Sequence, residues 1–364
     1  MSIPVTDLDL SADAVTLTEQ LVNIESVSRN EQAIADAVER ALRPFGHLTV
    51  TRHGHTVVAR TDLGRAERVV IAGHLDTVPL NHNLPARREG DLLHGLGTCD
   101  MKSGDAVILR LAATVPEPNR DLTFILYDAE EIEEEFNGLN LLGQTNPELM
   151  EADFAILMEP SGAIVEAGCQ GTMRVDIRTT GERAHAARSW KGVNAIHGAA
   201  EVLARLNAYE SRRPVIDGLE YREGLNAVFI SGGVAGNVLP DECVVSVNHR
   251  FAPDRSVAEA EQFLREFFDG FDLTVSDSAP GAMPGLGLPA AKAFLDAVGG
   301  DVKPKFGWTD VSRFSALGVP AVNFGPGDPM LAHKQEEFVP VEHIERCERQ
   351  LRAWLGADQT LVDQ

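Results

Sequence analysis

A chain of 364 residues exceeds one typical domain and is long enough for sizeable buried cores. Its hydrophobic share of 44% and charged share of 24% are those of an ordinary soluble globular protein. The formal net charge of −23 argues against phosphate-backbone binding and adhesion to an anionic membrane, which need basic patches, so neither nucleic acid nor membrane is an expected partner.

The acidic residues 1–10 lack the basic segment of a secretory signal, and no apolar run approaches a membrane span. Cys99, Cys169, Cys243 and Cys347 show no paired spacing, and together these features point to a reducing cytoplasm. Residues 11–24 read as a helix with Ser11 as N-cap and Val15, Leu17, Leu21 and Val22 in its apolar pattern. Asn30 is expected to cap a second helix carrying Ile34, Ala35, Val38 and Leu42. Short strands follow near 48–52 and 55–60. The run Arg68-Val-Val-Ile-Ala72 reads as a buried strand that delivers His74 and Asp76 at its carboxyl end. Strand residues two apart share a face, and such ends are where α/β sheets place ligands. Residues 80–89 read as a loop. Gly95, Gly97 and Gly104 surround Asp100 in a tight turn ahead of an apolar, buried helix over 104–115. A carboxylate there needs a metal or a basic partner, since burying it unpaired is costly.

A strand over 122–127 runs into the carboxylate-rich Asp128-Ala-Glu-Glu-Ile-Glu-Glu-Glu135. A solvated acidic helix start, favoured by the helix dipole, accounts for Glu133, Glu134 and Glu135. It accounts less well for Glu130 and Glu131, which abut the apolar strand. A strand over 154–158 ends in Glu159, pinned by Pro160. From Thr172 the texture changes. A half-exposed strand over 172–180 is followed by a loop holding His185, a helix over 193–206, strands near 226–231 and 242–250, a helix over 258–268 and a strand near 273–275. The order β-α-β-β-α-β is that of a ferredoxin-like sandwich. Then α/β alternation resumes, with a helix over 289–298, a strand near 303–306, a short helix opening in 308–314, a strand at 321–324, a loop carrying His333 and a helix over 341–355. The expected architecture is an α/β domain over 1–171 and 285–364, interrupted by an inserted α+β domain over 172–284.

His74, Asp76, Asp100, Glu130, Glu131, Glu159 and His333 thus fall at strand ends or pinned turns of the α/β part. Taken singly, each has a structural explanation: a hydrogen-bonded histidine, an Asx-turn aspartate at 100, a loop salt bridge at 159. As a set, two imidazoles and several carboxylates from separate strands suit two borderline metal ions, zinc foremost, with cobalt or manganese as substitutes. No thiolate set marks a structural zinc.

The segments Gly73-His-Leu-Asp-Thr-Val-Pro79, Gly95-Leu-Gly-Thr-Cys-Asp-Met-Lys-Ser-Gly104, Asp128-Ala-Glu-Glu131, Met158-Glu-Pro160 and Ala332-His333 follow the order of the co-catalytic di-zinc aminoacylase family. The chain resembles that family over nearly its whole length. The resemblance implies a di-zinc exopeptidase-like catalytic domain with a mixed sheet flanked by helices. It also implies an inserted ferredoxin-like lid domain that pairs two subunits into a homodimer, and two Zn2+ per subunit, with Co2+ as substitute. On this resemblance His74 and Glu159 would bind one zinc, Glu131 and His333 the other, and Asp100 would bridge both. Asp76 would orient His74 through its free ring nitrogen. Glu130 would be the general base, taking a proton from the metal-bridging water and passing it to the leaving amine.

The inserted domain carries Gly181-Glu-Arg-Ala-His-Ala-Ala187, Gly232-Gly-Val-Ala-Gly-Asn-Val-Leu-Pro240 and Asn248-His-Arg-Phe251. By resemblance His185 stabilises the tetrahedral oxyanion in the other subunit's active site, and Asn237 and Arg250 hold a substrate carboxylate. Read on its own, Arg250 is equally a salt-bridge residue, although its planar fork suits a carboxylate. Gly307-Trp-Thr-Asp-Val-Ser-Arg-Phe314, Pro85-Ala-Arg-Arg-Glu-Gly90 and Asn323-Phe-Gly-Pro-Gly-Asp-Pro-Met-Leu-Ala-His-Lys334 resemble the actinobacterial succinyl-diaminopimelate desuccinylase branch. That branch places Thr309 among substrate-binding positions. The commoner desuccinylase pattern is Thr-Ser-Asp-Gly-Arg-Phe, whereas here Asp310 follows Thr309 at once. Asp-Ala-Glu-Glu is one residue longer than the usual Asp-Glu-Glu, so Asp128 is not carried over. The branch resemblance implies hydrolysis of N-succinyl-LL-2,6-diaminopimelate, a small N-acyl amino acid, to succinate and LL-2,6-diaminopimelate. The rivals are another N-acyl-amino-acid deacylase such as acetylornithine deacetylase, or a di- or carboxypeptidase of the same family. A non-catalytic binding protein on this scaffold is the more distant alternative, and the filled ligand positions and Glu130 speak against it.

Overall fold

The computed structural model describes residues 7–357; residues 1–6 and 358–364 lie outside the described part, and with them much of the acidic N-terminus. The chain divides into two compact units. One holds the described chain up to Ala167, Gly285–Lys303 and the described chain from Arg313; the other holds Gly168–Pro284 and Pro304–Ser312. No helix among the described residues is long and apolar enough to cross a membrane.

The first unit is built on a mixed sheet ordered Thr49–His53, Thr56–Arg60, Asp121–Tyr127, Arg68–His74, Phe154–Pro160, Ala321–Gly325, Val165–Ala167 and Val302–Pro304. Its centre is parallel: Arg68–His74 lies between Asp121–Tyr127 and Phe154–Pro160, and Ala321–Gly325 runs parallel to the latter. These strands carry unbroken apolar runs because helices cover both faces of such a sheet; Val69, Val70, Ile71 and Ala72 are all buried. The hairpin Thr49–His53/Thr56–Arg60 closes one edge antiparallel. Helix Lys102–Thr114 is buried along most of its length and packs on Arg68–His74, with Ala14–Val22 and Val341–Trp354 beside it. A three-stranded sheet, Phe338–Pro340, Leu92–His94 and Arg87–Glu89, stands apart from the main one.

Several boundaries differ from expectation for local reasons. The first helix is capped by Asp13, whose carboxylate accepts the Thr16 N–H at 2.8 Å, while Ser11 bonds back to Asp9. Helix Gln32–Leu42 starts after Glu31 without any side-chain cap, so Asn30 does not cap it. The buried helix begins two residues early, at Lys102. Part of the segment 80–89 is strand: Arg87–Glu89 pairs with Leu92–His94 around Gly90, whose φ is +60°. The acidic run Glu130–Glu135 is a loop and not a helix start. The helix there begins only at Gly138, where Asn137 supplies a cap by accepting the Asn140 N–H. Glu133, Glu134 and Glu135 are nonetheless solvated.

The second unit contains strands Gly171–Thr180, Gly224–Gly232, Glu242–Phe251 and Asp272–Ala279 with helices Ala195–Asn207 and Val257–Phe267. The sheet order is Gly224–Gly232, Glu242–Phe251, Gly171–Thr180, Asp272–Ala279, all antiparallel, as in a ferredoxin-like sandwich. Met173, Val175, Ile177, Val245 and Val247 face both helices, where Ala199, Val202 and Leu264 complete the core. A small hairpin, Val215–Ile216/Leu219–Glu220, turns on Asp217 and Gly218, both at positive φ, the turn geometry that matches strand twist. Pro304–Ser312 packs with this unit although it belongs, in sequence, to 285–364. Trp308 Nε1–H and the Ser312 hydroxyl both donate to Pro280 O, at 3.1 and 2.7 Å.

Candidate metal centre

The carboxyl ends of the central parallel strands converge. His74 ends Arg68–His74, Glu159 is the penultimate residue of Phe154–Pro160, and the Glu130–Glu131 loop follows Asp121–Tyr127. The two strands are in register up to Ala72 and Leu157, each two residues short of His74 and Glu159. Asp100 lies in the turn that feeds helix Lys102–Thr114, and the Asp100–Met101 peptide is cis. His333 sits at φ +64°, a conformation uncommon for a residue with a Cβ, in the loop after Ala321–Gly325.

Asp100 occupies the middle of this group. One carboxylate oxygen lies 3.1 Å from His74 Nε2 and the other 3.5 Å from His333 Nε2. His333 Nε2 also lies 2.9 Å from Glu131 Oε1. Ligand atoms of His74, Asp100 and Glu131 fall within 4.8 Å of one another. Glu159 is buried at the adjoining strand end. Burial works against charge on His74, yet the carboxylates of Asp100 and Asp76 hold its imidazolium well above the usual range. The His333 imidazole is pushed up to about 10 by hydrogen bonds to Asp100 and Glu131. Burial would raise Asp100, but its two histidine partners hold its carboxyl below the ordinary value, whereas burial lifts Glu131. The group therefore retains protons where a divalent cation would compete for the same lone pairs. Imidazole and carboxylate donors with no thiolate among them fit a zinc-like ion; the nearby Cys99 Sγ donates instead to Asp328 O.

Asp76 does more than face His74. The His74 Nδ1 lies 3.1 Å from the Asp76 carbonyl oxygen and 3.5 Å from its carboxylate. The carboxylate itself accepts the N–H of Glu130 at 3.0 Å, the N–H of Glu131 at 3.2 Å and the Ser28 hydroxyl at 2.7 Å. One buried anion thus fixes the backbone that presents both glutamates, and His74, followed by the Glu130 N–H and the Ser28 hydroxyl, holds its carboxyl low against the effect of burial. The first unit therefore gathers His74, Asp76, Asp100, Glu130, Glu131, Glu159 and His333. His185, Asn237, Arg250 and Thr309 lie in the second. There His185 Nδ1 accepts the Ala187 N–H at 3.1 Å, and its loop pairs with the Asn237 segment through Ala186 N–H to Asn237 O at 2.9 Å. Arg250 lies on the sheet strand Glu242–Phe251, opposite Gly224 and Thr172. Thr309 is buried, its carbonyl accepting from Ser312 N–H.

Two residues with a place in this centre escape a reading of the sequence. Ser28 offers no local signal, because its partner is 48 positions away. Glu337 is buried and accepts the N–H groups of Cys99 and Asp100. It follows another acidic residue, Glu336, on the amino side of Phe338–Pro340, so no local pattern singles it out.

Similarity to known proteins runs along the whole chain. The profile of "Peptidase family M20/M25/M40" matches residues 70–356. A Mycobacterium tuberculosis protein, provisionally named a succinyl-diaminopimelate desuccinylase, is 56% identical over 352 residues, covering 96% of this chain and 99% of the relative. The succinyl-diaminopimelate desuccinylase of Corynebacterium glutamicum is 47% identical over 360 residues, covering 96% and 98%. Among solved structures, a tripeptidase of Staphylococcus aureus superposes with a TM-score of 0.77 at 20% identity, covering 99% of this chain and all 100% of that one. A dinuclear metal-binding peptidase of Bacillus subtilis superposes at 0.70 with 15% identity, covering 96% and 98%.

Proposed function

The chain belongs to peptidase family M20/M25/M40, and from that footing we propose that it removes the succinyl group from N-succinyl-LL-2,6-diaminopimelate, releasing succinate and LL-2,6-diaminopimelate. The observation that carries the substrate is 47% identity over 96% of the chain to the Corynebacterium glutamicum desuccinylase. The observation that carries the chemistry is Asp100, with one oxygen turned to each of two histidines.

We infer a pair of zinc ions, replaceable by cobalt, with His74 and Glu159 on one, Glu131 and His333 on the other and Asp100 between. When bound, such ions supply Lewis acidity for the amide carbonyl and the attacking water. Glu130 takes the proton from that water as its oxygen bonds to the acyl carbon, then delivers it to the departing nitrogen as the C–N bond breaks. Asp76 holds the Glu130 and Glu131 backbone so that adjacent carboxylates serve different tasks. His185 stabilises the oxyanion, reaching the centre of a second copy, and Asn237, Arg250 and Thr309 hold the substrate. The unit built around 172–284 acts as dimerisation and lid domain, the remainder as catalytic domain. Pairing of two copies is supported by the edge strand Gly224–Gly232, where Val228, Phe229 and Ile230 are 46%, 74% and 54% exposed. Four free, buried cysteines agree with residence in a reducing cytoplasm.

Steady-state turnover of zinc-loaded protein tests the substrate, with the succinyl compound set beside acetylornithine and dipeptides. The succinyl compound is expected to be preferred, and a clear preference for either rival overturns the reading. In the same assay Glu130→Ala should retain the metals and lose about 100- to 10,000-fold in turnover, as expected for a missing general base.

A further inference from the structure

We propose that Glu337 is a positioning residue that makes Asp100 a bridging ligand and thereby sets the affinity of the second metal ion; this rests on the two-ion reading above. The Glu337 side chain is 1% exposed, and Oε1 accepts the N–H of Cys99 at 2.8 Å and of Asp100 at 3.1 Å. Two consecutive backbone donors of the metal-bearing turn thus share one buried acceptor. The Glu337 main chain grips the same turn from its other end, since its carbonyl accepts the Gly95 N–H at 3.2 Å and the following Phe338 pairs with His94.

The opposite side of the turn is held by the helix it feeds, through Lys102 N–H to Gly97 O at 2.7 Å. These two anchors hold the Asp100 backbone from both sides, and its carboxylate lies between His74 and His333 with one oxygen toward each. His333 lies four residues before Glu337, so one short segment supplies both a candidate ligand and the clamp on its neighbour. Removing the acceptor leaves two buried N–H groups unpaired, and the turn must rotate to find new partners. A ligand that serves two ions tolerates rotation less than one that serves a single ion. The second ion therefore feels the loss first.

Co2+ titration of the metal-free full-length protein, followed by visible absorption and by magnetic coupling between the two ions, reads this directly. Wild type should bind two coupled ions. Glu337→Met should bind the first with affinity within about threefold of wild type, bind the second about 10- to 100-fold more weakly, and lose the coupling, the range usual for residues that orient ligands. Glu337→Gln keeps an Oε1 acceptor and should retain both ions and the coupling. A Glu337→Met protein with two coupled ions of wild-type affinity overturns the inference. So does a Glu337→Gln protein that loses the second ion, and that measurement stands if the Met variant fails to fold. Wild type that binds one ion only overturns the two-ion reading together with this inference, which separates the two failures.

Discussion

His249 shows how a single buried side chain gives the second unit a pH dependence of its own. It is fully buried, its ring packed 5.6 Å from that of Phe251 and 5.2 Å from that of Phe263, with neither ring nitrogen hydrogen-bonded. Burial pushes its pKa down to about 4, Glu223 pulls the other way, and Arg255 and Arg212 reinforce the fall. Between the unfolded value near 6.5 and the folded value, only the unfolded chain takes the proton. Stability is therefore unaffected above that window and falls with acidification through it, by about 1.4 kcal/mol per pH unit. His249→Phe, which suits the aromatic surroundings, should lessen the decline of the melting temperature between pH 6.5 and 4.5; equal declines in both proteins would contradict this. Chemistry-bearing residues were more legible than their supports. His74, Asp76, Asp100 and Glu159 announce themselves by following or abutting apolar strands and glycine-rich turns. Ser28, Glu337 and the second role of Asp76 depend on partners 48 to 238 positions away, and no local pattern encodes them.

At the scale of elements, the spacing between helix Lys102–Thr114 and the strand ends is set by glycine. A Cβ on Gly104 would meet the Met158 carbonyl oxygen at 2.5 Å and the Met158 Cβ at 2.7 Å. The first is backbone of a central strand and cannot yield without moving Glu159 as well. Alanine is the better helix former, so any loss in Gly104→Ala reports packing alone. We expect it to cost about 1–3 kcal/mol in denaturant unfolding, the usual range for overpacking. An unchanged midpoint would show that strand and helix are less tightly coupled than this contact requires. Element types were largely readable because a 2-residue or 3.6-residue period survives in most segments. What failed was competition among polar residues: Asp13 against Ser11 for one helix start, and the acidic run, whose charge suggested a helix that Ala129 at φ +56° and the tie to Asp76 exclude. The Asp217-Gly218 hairpin signal was present in the sequence, yet its two-residue strands are too short to show a period.

For the whole molecule, the exposed edge strand Gly224–Gly232 continues onto helix Ala195–Asn207, where Ile196 and Leu203 are also exposed. A free edge with apolar side chains invites strand-to-strand pairing, and one charge placed there should oppose it. Size-exclusion chromatography with light scattering should give twice the chain mass for wild type and the chain mass for Phe229→Glu; a monomeric wild type would overturn the proposed pairing. The contact from Glu337 to Cys99 spans 238 positions, with the entire second unit lying between them in sequence. Closing so long a loop is slow relative to forming local helices and hairpins. The restraint that Glu337 places on the Asp100 turn is thus available only once nearly the whole chain has been made. A polypeptide interrupted before residue 337 therefore lacks the acceptor that the Cys99 and Asp100 N–H groups share.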